Sequence, residues 1–472
     1  MQVKISLNKT ELMLLALVAT LGQWLNGLKC TWNFLILGIF GIIIIWLAFI
    51  GQRMLAKFEK DKWGVISLGI MALLPFNFLG LLAEVLTYVP ISGSVILFLN
   101  NHFKLVISLG IILTIIIWLI LAVMLARFWH TTIQLQIRQL IKNIGLYLGW
   151  LVGLTGILLL TAEIFKTQWI TAVLNGGLIL GLSVGQLWLL IHVWAGGNLI
   201  QYDDNSWVSL IIGATAVGLG FNLTNMMHSF PQEIIAHRGV YQKNELPNTI
   251  SALTQTSQQK FDFVEMDVRE TKDHQFICQH DDEFHWGVNH ADQVENLTLK
   301  QIKQHSKVDL FKDYISVANQ KHQRLLVEIK PGNVNSRFAG RDFIHQFKTQ
   351  MKQNNGMVHS MELSYLQQIK QITDEVPVGL VLTINTGNVM NKPVDFYSVQ
   401  AFTLNPAFVQ QANQHKRPIY VWTVRRSIQS LILKTIPITG QITDIGKTVR
   451  YLRFPHSLGQ EMFLVATAWN YL

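Results

Sequence analysis

The chain has 472 residues, of which 50% are hydrophobic and only 14% are charged, and its formal net charge is +9 at pH 7. Soluble domains average about 25% charged residues, so we expect part of this chain to lie in a lipid bilayer. The basic residues are spread through loops and form no Lys/Arg block, which argues against a nucleic-acid partner. The two cysteines, Cys30 and Cys278, lie one in each half and give neither a disulfide framework nor a zinc-finger spacing.

Long apolar runs fill the first half of the sequence and stop near Met226. A bilayer-spanning helix needs roughly 20 mainly apolar residues. Six runs qualify, and a seventh is weaker because it contains Gln23 and Asn26. We therefore predict an α-helical transmembrane domain of six to seven helices over residues 1–228, followed by a soluble domain over residues 229–472. The runs are residues 34–50, 64–86, 105–126, 144–164, 170–194 and 208–226, with residues 12–28 as the weaker candidate.

Basic residues in the short loops predict the orientation. The loop with Arg53 and Lys57 and the loop with Arg127 and Arg138 are the most basic, and basic loops favour the cytoplasmic side. Counting the spans forward places the chain after Met226 outside the cell. The sequence thus predicts a multi-pass protein of the cell membrane with an extracellular soluble domain.

Short β-rich runs alternate with helical segments after residue 230, as in βα units with a parallel sheet. Eight strands and their helices fit a TIM (β/α)₈ barrel, and a doubly wound sheet would fit the same alternation. The predicted strands are Glu233–His237, Phe263–Val268, Gln275–Gln279, Leu325–Ile329, Gly356–Ser360, Val376–Leu382, Asp395–Val399 and Pro418–Val424.

Polar clusters stand where several of these strands end, and this favours the barrel. His237 and Arg238 close the first strand, His280 follows the third, and Lys330 follows the fourth. In a TIM barrel the carboxyl ends of the strands converge on one mouth, where active sites are built. We therefore predict an active site at the mouth of a barrel.

Three carboxylates near these ends predict a metal site. Glu265 and Asp267 are two residues apart on one strand, so they face the same side and can share a cation. Together with Glu328 they offer an all-oxygen ligand set, which suits Mg²⁺ or Ca²⁺ better than zinc.

The remaining polar residues suggest phosphodiester chemistry. His237 and His280 are the candidate acid and base, and Arg238 and Lys330 are candidate phosphate ligands. Trp422 is a candidate substrate-binding platform. Each of these residues has a structural alternative: Arg238 in an ion pair with a carboxylate, Lys330 in an internal pair with the glutamate two residues before it, and Trp422 in barrel packing.

Other histidines receive no role, because a histidine in a loop is usually just solvated. They are His285, His290, His322, His345 and His359.

With these motifs together, the sequence resembles the glycerophosphodiester phosphodiesterase family from about Ile234 to Asp444. The multi-span first half is similar to that of the membrane-anchored branch found in Gram-positive bacteria. The resemblance implies a metal-dependent enzyme that hydrolyses glycerophosphodiesters to glycerol 3-phosphate and an alcohol, with His237 and His280 as the acid–base pair. The predicted outward orientation adds glycerophosphate-containing lipid headgroups and wall polymers as candidate substrates. The matching motifs are His-Arg-Gly at 237–239, Asn-Thr at 248–249, Glu-Met-Asp at 265–267, Thr-Lys-Asp at 271–273, His-Asp at 280–281, residues 294–299, Glu-Ile-Lys at 328–330, Trp-Thr-Val at 422–424 and Ile-Thr-Asp at 442–444.

The sequence departs from the family pattern at two positions. Pro247 stands where the family has a glutamate that binds the metal, and Glu245 lies two residues earlier. Arg425 stands where an asparagine usually follows the Trp-Thr-Val motif, and a cation there would favour a more anionic substrate. The first departure keeps an alternative open, in which the chain is a catalytically impaired binding or regulatory membrane protein that retains the barrel.

Overall fold

The computed structural model describes part of the chain, and that part divides into two compact units. One unit consists of residues 1–81, 107–228 and 455–472, and the other of residues 82–106 and 229–454. In the first unit, Leu7–Asn8 pairs in parallel with Ile200–Gln201. The described residues are 7–8, 87, 89–110, 112–113, 116, 200–201, 230–241, 245–285, 291–332, 336–385, 387–434 and 436–451.

The predicted transmembrane segments lie almost entirely outside the described residues, so these spans and the boundary at residue 228 stay predictions. Within the described part, no single helix has the length and apolar character needed to cross a bilayer. Two successive helices, Gly93–Asn101 and Phe103–Gly110, meet that requirement only when taken together, and they are bent by 83°.

The second unit contains a closed barrel of eight parallel strands, which confirms the TIM-barrel prediction. Each strand pairs with the preceding and following one, and the first pairs with both the last and the second. The strands are β1 (Glu233–Ala236), β2 (Phe263–Glu270), β3 (Leu325–Ile329), β4 (Met357–Ser360), β5 (Val378–Leu382), β6 (Phe396–Gln400), β7 (Ile419–Val424) and β8 (Gly440–Thr443).

One predicted barrel strand was wrong, and one real strand was not predicted. The run predicted as Gln275–Gln279 forms the strand Phe276–Cys278, which is antiparallel to the end of β2 and lies outside the barrel. The eighth barrel strand is β8, whose buried pattern Gly-Gln-Ile-Thr is too short and too polar to stand out as a strand. A second antiparallel pair, Glu283–His285 with Ala291–Gln293, follows the misassigned strand.

Helices cover the outside of the barrel and bury one face each against the strands. In α5 the residues Phe343, Ile344 and Phe347 recur at helical spacing and are buried. The helices are α1 (Gly93–Asn101), α2 (Ile250–Ser257), α3 (Leu299–His305), α4 (Phe311–Gln320), α5 (Ala339–Asn354), α6 (Leu363–Ile372), α7 (Pro406–Gln414), α8 (Ser427–Lys434) and α9 (Gly446–Tyr451), with 3₁₀ turns at His237–Gly239, Val294–Asn296 and Ala401–Thr403.

The barrel interior has an apolar layer below a polar one. Phe396 and Tyr420 meet edge to face in the apolar layer, with ring centroids 5.5 Å apart, a geometry that adds about 0.5–1.5 kcal/mol to their burial. Side chains alternate along a strand, so the inward residues two positions further on form the next layer toward the carboxyl ends. The apolar layer consists of Ile235, Phe263, Leu326, Met357, Phe396, Tyr420 and Ile442. The polar layer above it contains Glu265, Glu328, His359 and Trp422.

Residues 89–106, which we call the rim segment, belong to the barrel's unit although more than a hundred residues separate them from β1. Asn100 in α1 is 3% exposed and joins the segment to the carboxyl end of β5. Its amide nitrogen donates to the Val381 carbonyl at 2.9 Å, and its amide oxygen accepts from the Thr383 N–H at 2.7 Å. A backbone bond from Asn388 N–H to the Val89 carbonyl, 2.6 Å long, adds a second attachment. The rim segment is therefore fixed at the mouth of the barrel.

Candidate active site

The turn after β1 presents His237 and Arg238 to the barrel mouth. Arg238 has φ 54°, and its backbone N–H donates to Glu265 Oε2 at 2.8 Å. Gly239 has φ 72°, and a Cβ there would lie 2.8 Å from the Tyr314 hydroxyl. The turn needs glycine at this position because both the backbone conformation and the available space exclude a side chain.

Asp267 is the centre of a set of side chains that each contact it. We call this set, which consists of Asp267, Asn248, Arg238 and Lys330, the Asp267 cluster. The Asn248 amide donates to Asp267 Oδ2 at 2.9 Å, and Asn248 Oδ1 accepts from the Asp267 N–H at 3.0 Å. Lys330 Nζ lies 3.1 Å from Asp267 Oδ1, and Arg238 Nε lies 3.5 Å from Asp267 Oδ2. Asp267 is thus held by an amide and two cations.

The charges of the Asp267 cluster decide its protonation. Burial would raise the pKa of Asp267, but the attraction of Lys330, His280 and Arg238 outweighs burial, and the pKa falls below its ordinary value. Burial would lower the pKa of Lys330, but Asp267 and Glu328 outweigh it, and that pKa rises. Asp267 and Lys330 therefore stay charged at neutral pH.

Glu265, Glu328 and His359 form a second set of buried side chains, which we call the Glu265 group. One ligand atom from each residue lies within 4.8 Å of the others. Glu328 Oε1 is also 2.9 Å from Lys330 Nζ, so the internal ion pair considered from the sequence is present. Both ring nitrogens of His359 are buried without a hydrogen-bond partner among the described residues.

In the Glu265 group, burial shifts the pKa values of Glu265 and His359, and the neighbouring charges do not cancel these shifts. It raises the pKa of Glu265 well above its ordinary value, and repulsion from Asp267 and Glu328 raises it further. Burial lowers the pKa of His359 to about 3, so its imidazole is neutral and keeps a lone pair at neutral pH. Two crowded carboxylates and a neutral imidazole are ligands that a divalent cation can use.

The residues present therefore fit a divalent cation. Glu265 and Glu328 of the predicted ligand set lie in the Glu265 group, and the structure adds His359 as a candidate ligand. Asp267 is taken up by Asn248 and Lys330, and His359 lies beside Glu265, with its Nε2 4.0 Å from Glu265 Oε1. A cation would relieve the repulsion that raises the pKa of Glu265.

The two predicted acid–base histidines each bind a carboxylate through Nδ1. His237 Nδ1 is 2.5 Å from Asp444 Oδ1, and His280 Nδ1 is 2.7 Å from Asp281 Oδ1. Burial would raise the pKa of Asp444, but the bond from His237 outweighs it and the pKa falls, so Asp444 is a carboxylate. Because a carboxylate only accepts, Nδ1 carries the proton and Nε2 is left as the basic atom.

Arg425 contacts this arrangement from outside. Its Nε lies 3.0 Å from Asp444 Oδ2, so Arg425 and His237 share the same carboxylate. The Arg425 side chain is 70% exposed and remains accessible at the rim.

A cavity of about 420 Å³ joins part of this site to the rim segment. His280 and Lys330 lie on one side, and Asn101, the last residue of α1, also lines the cavity. Burial, followed by the nearby Lys330 charge, lowers the pKa of His280, so this imidazole stays neutral further below pH 6.5.

Trp422, Pro247 and Glu245 are the remaining residues that the sequence analysis singled out. Trp422 is half-buried against the apolar layer, and its indole N–H has no hydrogen-bond partner among the described residues. Pro247 is exposed, and Glu245 accepts a hydrogen bond from the Tyr241 N–H at 2.6 Å. That bond ties Glu245 to the chain before it.

Sequence reasoning missed His359 and Asp444 as members of the site. His359 is two residues beyond the buried Met357 on a predicted strand, so strand alternation was the signal that placed it inside the barrel. Asp444 follows β8, which was not recognised as a strand, so its position at a carboxyl end could not be read.

Comparison with known proteins shows what the barrel is similar to. Residues 237–446 match the model of the glycerophosphoryl diester phosphodiesterase family. The Bacillus subtilis protein YhdW is 24% identical over 235 residues, covering 45% of this chain and 93% of that protein. A glycerophosphodiester phosphodiesterase of Caldanaerobacter subterraneus subsp. tengcongensis is 24% identical over 232 residues, covering 46% and 95%.

A solved structure of an Oleispira antarctica phosphodiesterase in complex with sn-glycerol-3-phosphate is 18% identical to this chain, with a TM-score of 0.42, and covers 47% of this chain and 95% of that one. The family match and the two sequence relatives support the resemblance found in the sequence. They also confirm the prediction of an enzyme, a phosphoric diester hydrolase.

Proposed function

We propose that this protein hydrolyses glycerophosphodiesters to glycerol 3-phosphate and an alcohol, because residues 237–446 match the model of the glycerophosphoryl diester phosphodiesterase family. The observation that carries the proposal is the setting of His237. Its Nδ1 is held by Asp444, and its Nε2 lies 4.0 Å from the buried Glu265. A basic nitrogen is thereby presented beside a candidate cation site.

His237 and His280 are the proposed acid–base pair. One, with a free Nε2, removes a proton from the attacking oxygen as that oxygen bonds to phosphorus. The other, protonated on both ring nitrogens, donates a proton from Nε2 to the oxygen of the leaving alcohol as the phosphorus–oxygen bond breaks. The carboxylates of Asp444 and Asp281 orient the two rings through Nδ1. Each histidine is therefore pre-set to exchange its proton at Nε2.

Arg238 and Lys330 are the proposed phosphate ligands, with different parts to play. The Arg238 side chain is 30% exposed, so its terminal nitrogens can reach phosphate oxygens while Nε stays near Asp267. The Lys330 side chain is 9% exposed and is fixed between Asp267 and Glu328, so it supplies a stationary positive charge. Trp422 is the proposed platform for the substrate beside them.

A divalent cation, Mg²⁺ or Ca²⁺, is the proposed cofactor, and Glu265 and Glu328 would hold it with Asp267 or His359. When bound, it would stabilise the negative charge that develops on the phosphate oxygens. The raised pKa of Glu265 supports this proposal, because it marks a carboxylate that lacks a positive neighbour strong enough to offset burial and repulsion.

The proposed setting is the outer face of the cell membrane, with residues 1–228 as a multi-pass anchor of the Gram-positive type. The support is the series of apolar runs and the distribution of Lys and Arg in the loops. In that setting, glycerophosphate-containing lipid headgroups and wall polymers are the candidate natural substrates. Cysteine labelling of a residue such as Ser94→Cys in intact cells tests the orientation, and labelling only after lysis would contradict it.

The activity is tested by measuring glycerol 3-phosphate released from glycerophosphoglycerol and glycerophosphocholine by the purified full chain. Reactions contain Mg²⁺, Ca²⁺, Mn²⁺ or EDTA. We expect cation-dependent release, and we expect His237→Ala to reduce kcat by about 10²–10⁴-fold because it removes an acid–base group. His345→Ala is the matched control, since His345 is exposed on α5, outside the proposed site.

Two results would contradict the proposal. Release that persists unchanged in His237→Ala would remove the proposed acid–base role. Absence of release with every cation, from a folded sample, would favour the catalytically impaired binding or regulatory protein, and Pro247 would be the position to revert to glutamate.

A further inference from the structure

Resting on the proposed function, we propose that Asn101 of the rim segment is a specificity-determining residue that hydrogen-bonds a hydroxyl-bearing alcohol group of the phosphodiester. The family match begins at residue 237, so Asn101 comes from outside the matched domain. It nevertheless lines the same cavity as His280 and Lys330. The segment that carries it is built into the barrel's unit.

The position of Asn101 is fixed by its neighbour. The two hydrogen bonds of the buried Asn100 side chain hold the end of α1 against the backbone after β5. Asn101 itself is exposed and lines the cavity. Because the backbone of Asn101 is held by its neighbour, the segment needs little further ordering when a ligand binds, which favours a directed contact.

The cavity lies beside the proposed phosphate ligands, so it is the space for a group attached to the phosphate. Lys330 lines it, and so do the uncharged polar residues Gln293, Ser336 and Asn101. Amides and hydroxyls both donate and accept hydrogen bonds, as alcohol hydroxyl groups do. These three side chains can therefore bind the hydroxyls of a polyol such as glycerol.

The lining offers a quaternary ammonium group carboxylates, from Glu270, Asp282 and Glu295, but no aromatic cage. Such groups are recognised mainly by the faces of Trp, Tyr and Phe. None of these three residue types is among the described residues that line the cavity. A trimethylammonium group also has no hydrogen-bond donor to offer an amide. We therefore assign the cavity to the hydroxyl-bearing alcohol and expect choline to gain little from Asn101.

The test compares glycerophosphoglycerol with glycerophosphocholine in the full chain with its cation. We expect Asn101→Ala to lower kcat/KM for glycerophosphoglycerol by about threefold to tenfold, mainly through KM, the size of one hydrogen bond. For glycerophosphocholine we expect a change of less than about twofold. Ser94→Ala is the matched control, because Ser94 is exposed on the same helix and does not line the cavity.

Two results would overturn the assignment. Equal losses for both substrates would show that Asn101 acts on the structure of the mouth or on the glycerol 3-phosphate half that both diesters share, and no loss for either would show that it contacts neither alcohol.

A binding measurement separates this inference from the proposed activity. Calorimetry compares glycerophosphoglycerol binding by His237→Ala with binding by His237→Ala/Asn101→Ala. If the wild-type protein hydrolyses neither diester, the proposed function fails. A Kd at least threefold weaker in the double variant would still support the contact of Asn101, and an equal Kd would overturn it.

Discussion

Two carboxylates on the same strand of the barrel behave in opposite ways. Glu265 and Asp267 lie two residues apart on β2 and are 2% and 1% exposed. Yet the pKa of Glu265 is raised and the pKa of Asp267 is lowered. Burial is common to both, so their partners make the difference. Asp267 has Lys330, Arg238 and Asn248, whereas at Glu265 the Arg238 N–H and the Lys330 charge do not offset burial and the repulsion of Asp267 and Glu328. The charge of Asp267 is therefore balanced within the folded protein, whereas the Glu265 group is the candidate site for a cation.

The largest change in stability is expected when the Asp267 cluster loses one of its cations. Lys330→Met should lower the free energy of unfolding by about 3–5 kcal/mol at neutral pH, because it leaves Asp267 buried without its main positive partner. The pKa of Asp267 is lowered by folding, so the stability from its charged form is present above the unfolded pKa and is lost as the pH falls. The loss in the variant should therefore shrink in acid. Denaturant unfolding at several pH values measures it.

Lys348→Met is the matched control for that experiment. Lys348 Nζ pairs with Glu375 Oε2 at 3.3 Å, and both side chains are at least 40% exposed. Water screens such a pair, so its removal should change stability little. Equal losses in the two lysine variants would contradict the description of the Asp267 cluster.

A smaller change in stability is expected when a divalent cation binds to the Glu265 group. A divalent cation at about 100 times its Kd should raise the free energy of unfolding by about 2.7 kcal/mol, and Glu265→Gln should remove this gain. Without a cation, the pKa of Glu265 is raised by folding, so its contribution is present below the unfolded pKa and is lost as the pH rises through the folded pKa. Stabilisation by the cation should accordingly increase with pH.

His359→Leu distinguishes a cation site from a structural cluster. It removes a buried imidazole whose nitrogens have no hydrogen-bond partner among the described residues, so the cation-free protein should gain stability or stay unchanged. If His359 is a ligand, the same variant should lose affinity for the cation. Thermal unfolding with and without EDTA measures both the stability and the cation affinity of this variant. If the cation stabilises Glu265→Gln as much as the wild-type protein, the proposed cation site is contradicted.

The smallest expected effect is a shift in the pH dependence of activity that is caused by His280. Asp281 raises the pKa of His280 through a hydrogen bond, while burial and Lys330 lower it. Asp281→Asn should therefore lower the pKa of His280 further and move the acid limb of the pH–kcat/KM profile to lower pH. The shift should be less than about one unit, because the Asp281 side chain is 75% exposed. Glu283→Gln, which alters a nearby exposed carboxylate, should leave the limb in place, and a shift to higher pH in Asp281→Asn would contradict the assignment.

The sequence predicted the barrel because its strands carry local signals. Leu325–Ile329 is a buried β-branched and leucine run, and the structure has the same bounds. The short strand β8 lacks such a run, and Phe276–Cys278 has one although it pairs outside the barrel. Local composition indicates that a segment is extended, but only its neighbours decide which sheet it joins.

The candidate site was partly predicted for a related reason. His237 and Glu265 stand in motifs whose spacing marks them. His359 is an isolated histidine within an apolar strand, and its place in the site comes from tertiary packing, which brings its Nε2 to 4.0 Å from Glu265 Oε1. Asn100 and Asn101 lie in the half of the sequence that apolar runs dominate, where nothing local indicates a contact with β5. Such contacts depend on tertiary packing, which residue spacing does not encode.

The attachment of the rim segment has a consequence for the order of folding. Asn100 and Val381, which it binds, are separated by 281 positions in the sequence. At translation rates of about 5–20 residues per second, the rim segment is synthesised roughly 15–55 seconds before its partner on β5 exists. Contacts of such high sequence separation form late, after the intervening chain has lost its freedom. We therefore expect the mouth of the barrel to be completed late, by a segment that is made well before β5.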